Sequence, residues 1–486
     1  MDVGNVLRQR AVDRADHPAL LFHDEQVSFA ELDRRTESVR HQLLDLGIGP
    51  GDAVGMLLPN TPAFVYLYLA LLRIGAIPTP IDVRLGAAEV TVLARHCRLR
   101  LAFVAPDYAH RDVLSAHVRT LDTDALRLDL PPPAAATRPY DPAATALYLH
   151  TSGTTGIPKV VELTLAHLDC YPHAMSRFWH SGPDWVLAMI LPMSHISGPI
   201  LINEMLDKGS TLAIVDRISG PALLEAAQRY RFTFMHGVPP IFQMMLTAEP
   251  ERYDLSSVKV MALMGTSVPV TVMRALKTRL PHVKVLQGYG LTETSPLLTG
   301  TPSEAADDHL DSIGIAVPDA EVFIADAQGR PLPPGEVGEI VARGKVVMKG
   351  YLDNPAATAA RIRNGVLHTG DAGRQDEHGF FYHLGRMDDQ IVTRQGLNVY
   401  PAEVENVLLG HPQVLDAAVV GQVDDAEHGT VLTAYVIPRG AAPAASELRR
   451  YCLDRLAQFK VPQRFHFVTE LPRTGTGKVA RERLRG

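Results

Sequence analysis

Residues 151–159, TSGTTGIPK, set two glycines among four hydroxyl residues (Thr151, Ser152, Thr154 and Thr155) and close on Lys159. A loop of this kind can turn its backbone N–H groups and hydroxyls toward a polyphosphate, because Gly153 and Gly156 leave nothing bulky in the way. It is not the G-x-x-x-x-G-K-[ST] phosphate loop, since Lys159 follows Gly156-Ile-Pro. An ordinary Gly/Ser/Thr connection is the competing reading. The residues just upstream, 146–150 (ALYLH), read as a strand that feeds the loop.

The rest of the chain has to position that loop. Short apolar runs at 53–58, 212–215 and 283–286 are bounded by Gly, Pro or Asp and alternate with amphipathic stretches such as 221–230 and 270–280. Buried strands alternating with helices predict α/β layering. Residues 130–145, LPPPAAATRPYDPAAT, read as an irregular connector. After about Gly385 the character changes. Residues 399–409 predict a helix with Pro401 in its first turn and Glu403 and Glu405 near its positive end. Strands at 417–420 and 432–437 and a helix over 446–457 complete a separate α+β unit.

The composition bounds the function. Of 486 residues, 46% are hydrophobic and 21% charged, which excludes a disordered chain, a collagen-like fibre and a disulfide-stapled scaffold. A formal net charge of −7 gives no global reason to expect nucleic acid or an anionic membrane as partner. Cys97, Cys170 and Cys452 are scattered, with no C-x-x-C pair. The start lacks an apolar signal core, and the most apolar run, 63–72, stops at Arg73, well short of the roughly 20 residues that span a bilayer. A cytoplasmic enzyme is expected.

TSGTTGIPK resembles the phosphate loop of the adenylate-forming superfamily: acyl-CoA synthetases, aryl-CoA ligases, luciferases and the adenylation domains of peptide synthetases. Six further strings resemble that family's motifs in its order: LPMSHISG at 191–198, GYGLTET at 288–294, HTGD at 368–371, GRMDDQ at 385–390, YPAEVE at 400–405 and LPRTGTGKV at 471–479. The resemblance spans essentially the whole chain. It implies an α/β fold with a large N-terminal domain of layered sheets and helices, 1–387, and a smaller mobile α+β C-terminal domain, 388–486.

The activity implied is ATP-dependent activation of a carboxylic acid to an acyl-adenylate, with release of pyrophosphate, then transfer to a thiol, CoA first among the candidates. An anion must approach a polyanion, so cations and donors have to be placed there. On this resemblance Lys478, Glu293, His195 and Thr154 form the catalytic set. Glu293 would hold Mg²⁺ against the phosphates, as a hard cation prefers carboxylate oxygen. Ser152, Thr154 and Thr292 would donate hydroxyls to phosphate oxygens, with Thr151, Gly153, Thr155, Gly156 and Lys159 completing the nucleotide loop.

Asp371 would accept both ribose hydroxyls, Tyr289 would lie against adenine, Gly290 would keep the backbone close, and Arg386 would serve ribose or phosphate. Lys478, flanked by Gly475, Thr476 and Gly477, would bridge the carboxylate and the α-phosphate. His195 would sit beside the substrate carboxylate, the alternative being a satisfied core histidine. After adenylation the small domain would rotate about Asp388, which could equally be a plain turn residue.

Ser194, His195, Met264, Gly265 and Gly288 are expected to line the acid pocket. Several positions depart from the family. Val160 follows Lys159 where glycine is usual, and Thr164-Leu165-Ala166-His167 replaces T-H-x-N. Met264-Gly265 stands where two glycines are usual, and Ser194 where an aromatic residue is frequent. Gln395-Gly396 stands where many CoA synthetases carry Gly-Gly beside the pantetheine tunnel. A small or medium carboxylic acid is expected as substrate. The acceptor is CoA or, as the alternative, the phosphopantetheine of a carrier protein or another nucleophile. A silent nucleotide-binding relative is the reading from a different class. No nucleic acid or membrane partner is expected, and a monomer or homodimer is.

Overall fold

The computed structural model describes residues 1–133, 141–151, 158–266, 268–393, 397–424, 429–473 and 479–485. Among these, the largest sheet has nine strands, in the order Ile315–Ala316, Thr299–Gly300, Lys284–Tyr289, Val260–Leu263, Phe234–Gly237, Val186–Met189, Thr211–Ile214, Pro18–Phe22 and Glu25–Ser28. The six strands from Lys284–Tyr289 to Pro18–Phe22 run parallel, and antiparallel strands close both edges. Helices cover both faces, so the strands read as continuous apolar runs rather than alternating ones. In Val260–Leu263, Val260 and Ala262 enter one core while Met261 and Leu263 enter another, the two-residue period of a strand buried on both sides.

The apolar run near residue 63 is an interior helix. Pro62–Ile74 buries twelve of its thirteen residues, begins with proline in its first turn and stops at Gly75 in the left-handed conformation. At 1.5 Å per residue it is about 20 Å long. Among the described residues no helix is long and apolar enough to cross a membrane. Its buried Arg73 is neutralised by Glu37 at 2.6 Å and by Asp33.

A second parallel sheet, Ile77–Pro80, Ala53–Leu57, Leu101–Val104 and Thr120–Asp122, has its own core. Thr145–Thr151, Lys159–Thr164 and Gly350–Tyr351 form a small antiparallel sheet. An antiparallel sheet built on Val337–Gly344 and Val366–Gln375 carries Phe381–Arg386 at one side.

The smaller C-terminal part is α+β. Val414–Asp424 and Gly429–Pro438 pair antiparallel, Arg464–Phe467 adds in parallel, and the helices Pro401–Leu409 and Ala445–Leu453 pack on them over a core that includes Val404, Leu408, Val419, Leu432 and Leu448. Two expectations change. The last helix ends at Leu453 rather than 457: the Arg455 and Leu456 N–H groups both turn back to the Cys452 carbonyl, at 3.0 and 2.8 Å, and the 3₁₀ turn Gln458–Lys460 follows. The connector expected over 130–145 gives way to strand at Thr145, while 134–140 lie outside the described residues.

Candidate active site

Two of the motif strings and the Met264-Gly265 pair leave the same edge of the large sheet. Val186–Met189, Phe234–Gly237, Val260–Leu263 and Lys284–Tyr289 are parallel neighbours, and LPMSHISG, Met264-Gly265 and GYGLTET follow or overlap their C-terminal ends. Ligands of open parallel sheets bind beyond those ends. Gly265 has φ +88°, a conformation that asks for glycine. The Met264 side chain lies over Gly288, its Cε 3.2 Å from where a Cβ on Gly288 would stand. Gly290 has an internal reason to be glycine beyond any approach to nucleotide: a Cβ there would fall 1.6 Å from the Pro296 carbonyl oxygen. Ser194 is buried.

Asp371 and Arg386 face each other in register across adjacent strands. The Asp371 carboxylate is buried, accepts the Tyr289 hydroxyl on Oδ2 at 2.7 Å and Arg386 Nη1 on Oδ1 at 2.9 Å, and has His383 Nε2 at 3.9 Å. Burial pushes its pKa up, but His383, Arg386 and the Tyr289 hydroxyl together hold it at about 2. Burial, then the Asp371 charge, pushes the Tyr289 phenol well above its usual value, so it remains a neutral donor. His383 carried no motif signal in the sequence.

Glu293 is buried rather than an exposed loop acid. It sits in the 3₁₀ turn Thr292–Thr294, whose Thr294 hydroxyl accepts the Leu291 N–H at 2.8 Å. Tyr351 donates its hydroxyl to Glu293 Oε1 at 2.8 Å, and Lys159 Nζ stands 5.2 Å from the Tyr351 ring centre. Tyr351, absent from the sequence expectations, thus bridges Lys159 and Glu293. Thr151 ends its strand directly opposite Lys159. Ser152, Gly153, Thr154, Thr155, Gly156 and Lys478 lie outside the described residues, as do Gln395, Gly396, Gly475, Thr476 and Gly477. Among the described residues no group of three or more His, Cys, Asp or Glu could hold a metal ion. A buried carboxylate whose Oε1 alone is hydrogen-bonded among the described residues suits Mg²⁺, which takes one or two carboxylates and completes its shell from phosphates and water.

His195 is not a core histidine: its side chain is 41% exposed, and Nε2 lies 3.2 Å from Asp82 Oδ2. Asp82 is buried and gripped by Arg84 through Nε at 2.9 Å and through Nη2. Burial opposes its ionisation, yet Arg84 and His195 hold the carboxyl well below the usual carboxylate range. On the neighbouring strand end His150 is kept neutral, pushed down to about 4 by burial and by His195. Neither Asp82 nor His150 was an expected site residue. The departure at His167 has a structural role: its Nδ1 accepts the Thr164 N–H at 2.9 Å and its Nε2 meets the Val347 carbonyl at 2.7 Å. Asp388 lies exposed in the middle of the turn Met387–Asp389, next after the strand that ends at Arg386.

Comparison with known proteins agrees with this geometry. The AMP-binding enzyme family matches residues 7–352, and the AMP-binding enzyme C-terminal domain matches residues 403–478. A feruloyl-CoA synthase from Amycolatopsis is 33% identical over 464 residues, covering 94% of this chain and 93% of that protein. A 2-succinylbenzoate–CoA ligase from Bacillus licheniformis is 32% identical over 490 residues, covering 100% of both. The structure of an o-succinylbenzoate CoA synthetase from Bacillus subtilis, in complex with its acyl-adenylate intermediate, superposes with a TM-score of 0.89 at 30% identity, over 99% of this chain and 98% of that one. With its motifs in order and its sheets in the same arrangement, the chain belongs to the AMP-binding enzyme family.

Proposed function

We propose that this protein is an AMP-forming acid–CoA ligase that uses ATP and Mg²⁺, joins a small or medium carboxylic acid to CoA, and passes through an acyl-adenylate. The carrying observation is the convergence, at one end of the parallel strands, of a buried carboxylate bound by Tyr289 and Arg386 with a second buried carboxylate bridged to Lys159 by Tyr351. Relatives named as acid–CoA ligases over the full length support the same reading.

In the first half-reaction a carboxylate oxygen of the acid bonds to the α-phosphorus of ATP as the bond to the β-phosphate bridging oxygen breaks, and pyrophosphate leaves. In the second, the thiol sulfur bonds to the acyl carbon, the thiol gives up its proton and AMP departs with the former carboxylate oxygen. Each carboxylate oxygen of Asp371 spends one lone pair on its protein donor and keeps another for a ribose hydroxyl. The cationic Lys159, Arg386 and Lys478 are assigned to the phosphates and the reacting carboxylate, where charge builds. Bound Mg²⁺ would neutralise phosphate charge, with Glu293 as its protein ligand. Asp82 takes the Nε2 side of His195, which leaves Nδ1 for the cleft. Met264 over Gly288 shortens the acid pocket, which favours acids of modest length.

The test is acid-dependent ATP–pyrophosphate exchange over a panel of carboxylic acids, with Lys478→Ala as control. Exchange with a few acids, lost in the variant, supports adenylation. Supplying CoA or a phosphopantetheinylated carrier protein then decides the acceptor, and thioester formed only on the carrier protein would overturn the CoA assignment.

A further inference from the structure

Lys478 directly precedes Val479, and the structure describes the chain on both sides of residues 474–478. Arg473 and Val479 form an antiparallel bridge, and the Ala480 N–H donates to the Pro472 carbonyl at 2.8 Å. An arginine anchors the chain on each side of this bridge. Arg473 pairs with Asp416 on the strand Val414–Asp424. Arg481, three residues beyond Lys478, donates from Nη2 to both oxygens of Glu405 at 2.7 Å and from Nη1 to Asp389 at 3.3 Å.

The Arg481 contacts are built in. Its side chain is 19% exposed and that of Glu405 12%. Glu405, on the helix Pro401–Leu409, also accepts the Val419 N–H at 2.8 Å. The glutamate expected only to complement the helix dipole is therefore a buried ion-pair partner. Downstream, Arg485 reaches Asp389 at 3.5 Å, and the Leu484 carbonyl accepts Gln422 and the Tyr435 hydroxyl at 3.1 and 3.2 Å. Asp389 is the residue next to Asp388, the proposed pivot.

We infer that Arg481 is a positioning residue for the adenylation half-reaction: it joins the turn beside the pivot, the helix Pro401–Leu409 and the segment that directly follows Lys478 into one rigid unit. This rests on the proposed roles of Lys478 and Asp388. Rotation at Asp388 is then delivered to the lysine without slack. A long flexible cation at a reacting centre contributes most when its base is fixed, and a misplacement of about 1 Å can cost about a hundredfold in rate. Arg481 can do this because its planar fork spans two carboxylates from different elements, which an ammonium cannot match.

The full-length enzyme is assayed in each half-reaction separately, with purified acyl-adenylate and CoA for the second. Arg481→Ala is expected to lower kcat of pyrophosphate exchange about ten- to hundredfold, with KM for ATP and acid and the thioester step each within about threefold. Arg481→Lys should recover part of the loss. Asp389→Ala, which keeps the Glu405 pair, should show a smaller loss with the same selectivity, and it carries the test should Arg481→Ala fail to fold. Equal loss in both half-reactions, or unchanged exchange in Arg481→Ala while Lys478→Ala is inactive, overturns the inference and leaves the lysine assignment standing. Normal exchange in Lys478→Ala overturns both.

Discussion

Replacing Asp371 by asparagine tests the proposed nucleotide site most directly. The carboxylate has one protein donor on each oxygen, Tyr289 at 2.7 Å and Arg386 at 2.9 Å. The Arg386 fork can only donate, so the amide of Asp371→Asn must keep its oxygen toward Arg386 and turn its NH₂ toward Tyr289, whose hydroxyl can reverse and accept. The ribose hydroxyl on that side then meets a donor in place of an anion, and the other meets a neutral acceptor. Each charge-assisted bond falls from about 1.5–3 to about 0.5–1.5 kcal/mol, so ATP binding weakens by about 2–3 kcal/mol, or roughly 30- to 150-fold in KM.

The ribose lies away from the bonds that change, so this loss is equal in ground and transition states and kcat stays within about fivefold. Pyrophosphate exchange with ATP as the varied substrate measures it. Repeating the assay with 2′-deoxy- and 3′-deoxy-ATP closes the cycle: removing a hydroxyl should hurt the wild type more than the variant. A KM for ATP within about threefold of wild type, or equal deoxy penalties in both proteins, would refute the assignment. Stability adds an independent readout. With its pKa lowered from 3.8 to about 2, ionised Asp371 contributes about 2 kcal/mol that is present above the unfolded value and lost as pH falls from about 4 to 2. Asp371→Asn should therefore be less stable at neutral pH, with the gap closing across that acid window.

Tyr351→Phe removes the donor to buried Glu293 and should lower kcat/KM of exchange roughly tenfold; an unchanged value would detach Tyr351 from the site. Asp388→Pro should spare exchange and slow transfer to CoA at least about tenfold, and if both half-reactions survive, Asp388 is not the pivot. Glu204, on the helix Ser197–Lys208, is fully buried, and neither carboxylate oxygen has a hydrogen-bond partner among the described residues. Burial, opposed by Ser181 and Lys208, raises its pKa to about 8, so its contribution to stability is full below 4.5 and falls by about 1.4 kcal/mol per pH unit up to about 8. The melting temperature of Glu204→Gln should accordingly gain on the wild type between pH 5 and pH 8, and a constant difference across that range would contradict a buried neutral acid.

The seven motif strings were legible because the chemistry asks for particular residue types in a fixed local order, and local order is what a sequence displays. Lys159, Glu293, Asp371, Arg386 and Lys478 were each proposed as site residues from their neighbours along the chain alone. The α/β layering was legible for a related reason: a strand covered on both faces must be apolar throughout, as Val260–Leu263 is. Partners that meet across the fold left no such trace. Tyr351 reaches Glu293 from 58 positions away, Asp82 reaches His195 from 113, Tyr289 reaches Asp371 from 82, and Glu405 meets Arg481 across 76. Each pairing depends on strand order and register, which are set by how whole elements pack.

Gly290 shows the division within one residue. Its place in GYGLTET was plain from the string, but the requirement for glycine comes from the Pro296 carbonyl folded back against it. The sequence by itself determined which groups this protein has available for the proposed chemistry, because side-chain type is local. Only the tertiary structure decided which of them are buried, paired and held neutral or charged, because those properties belong to contacts between distant parts of the chain.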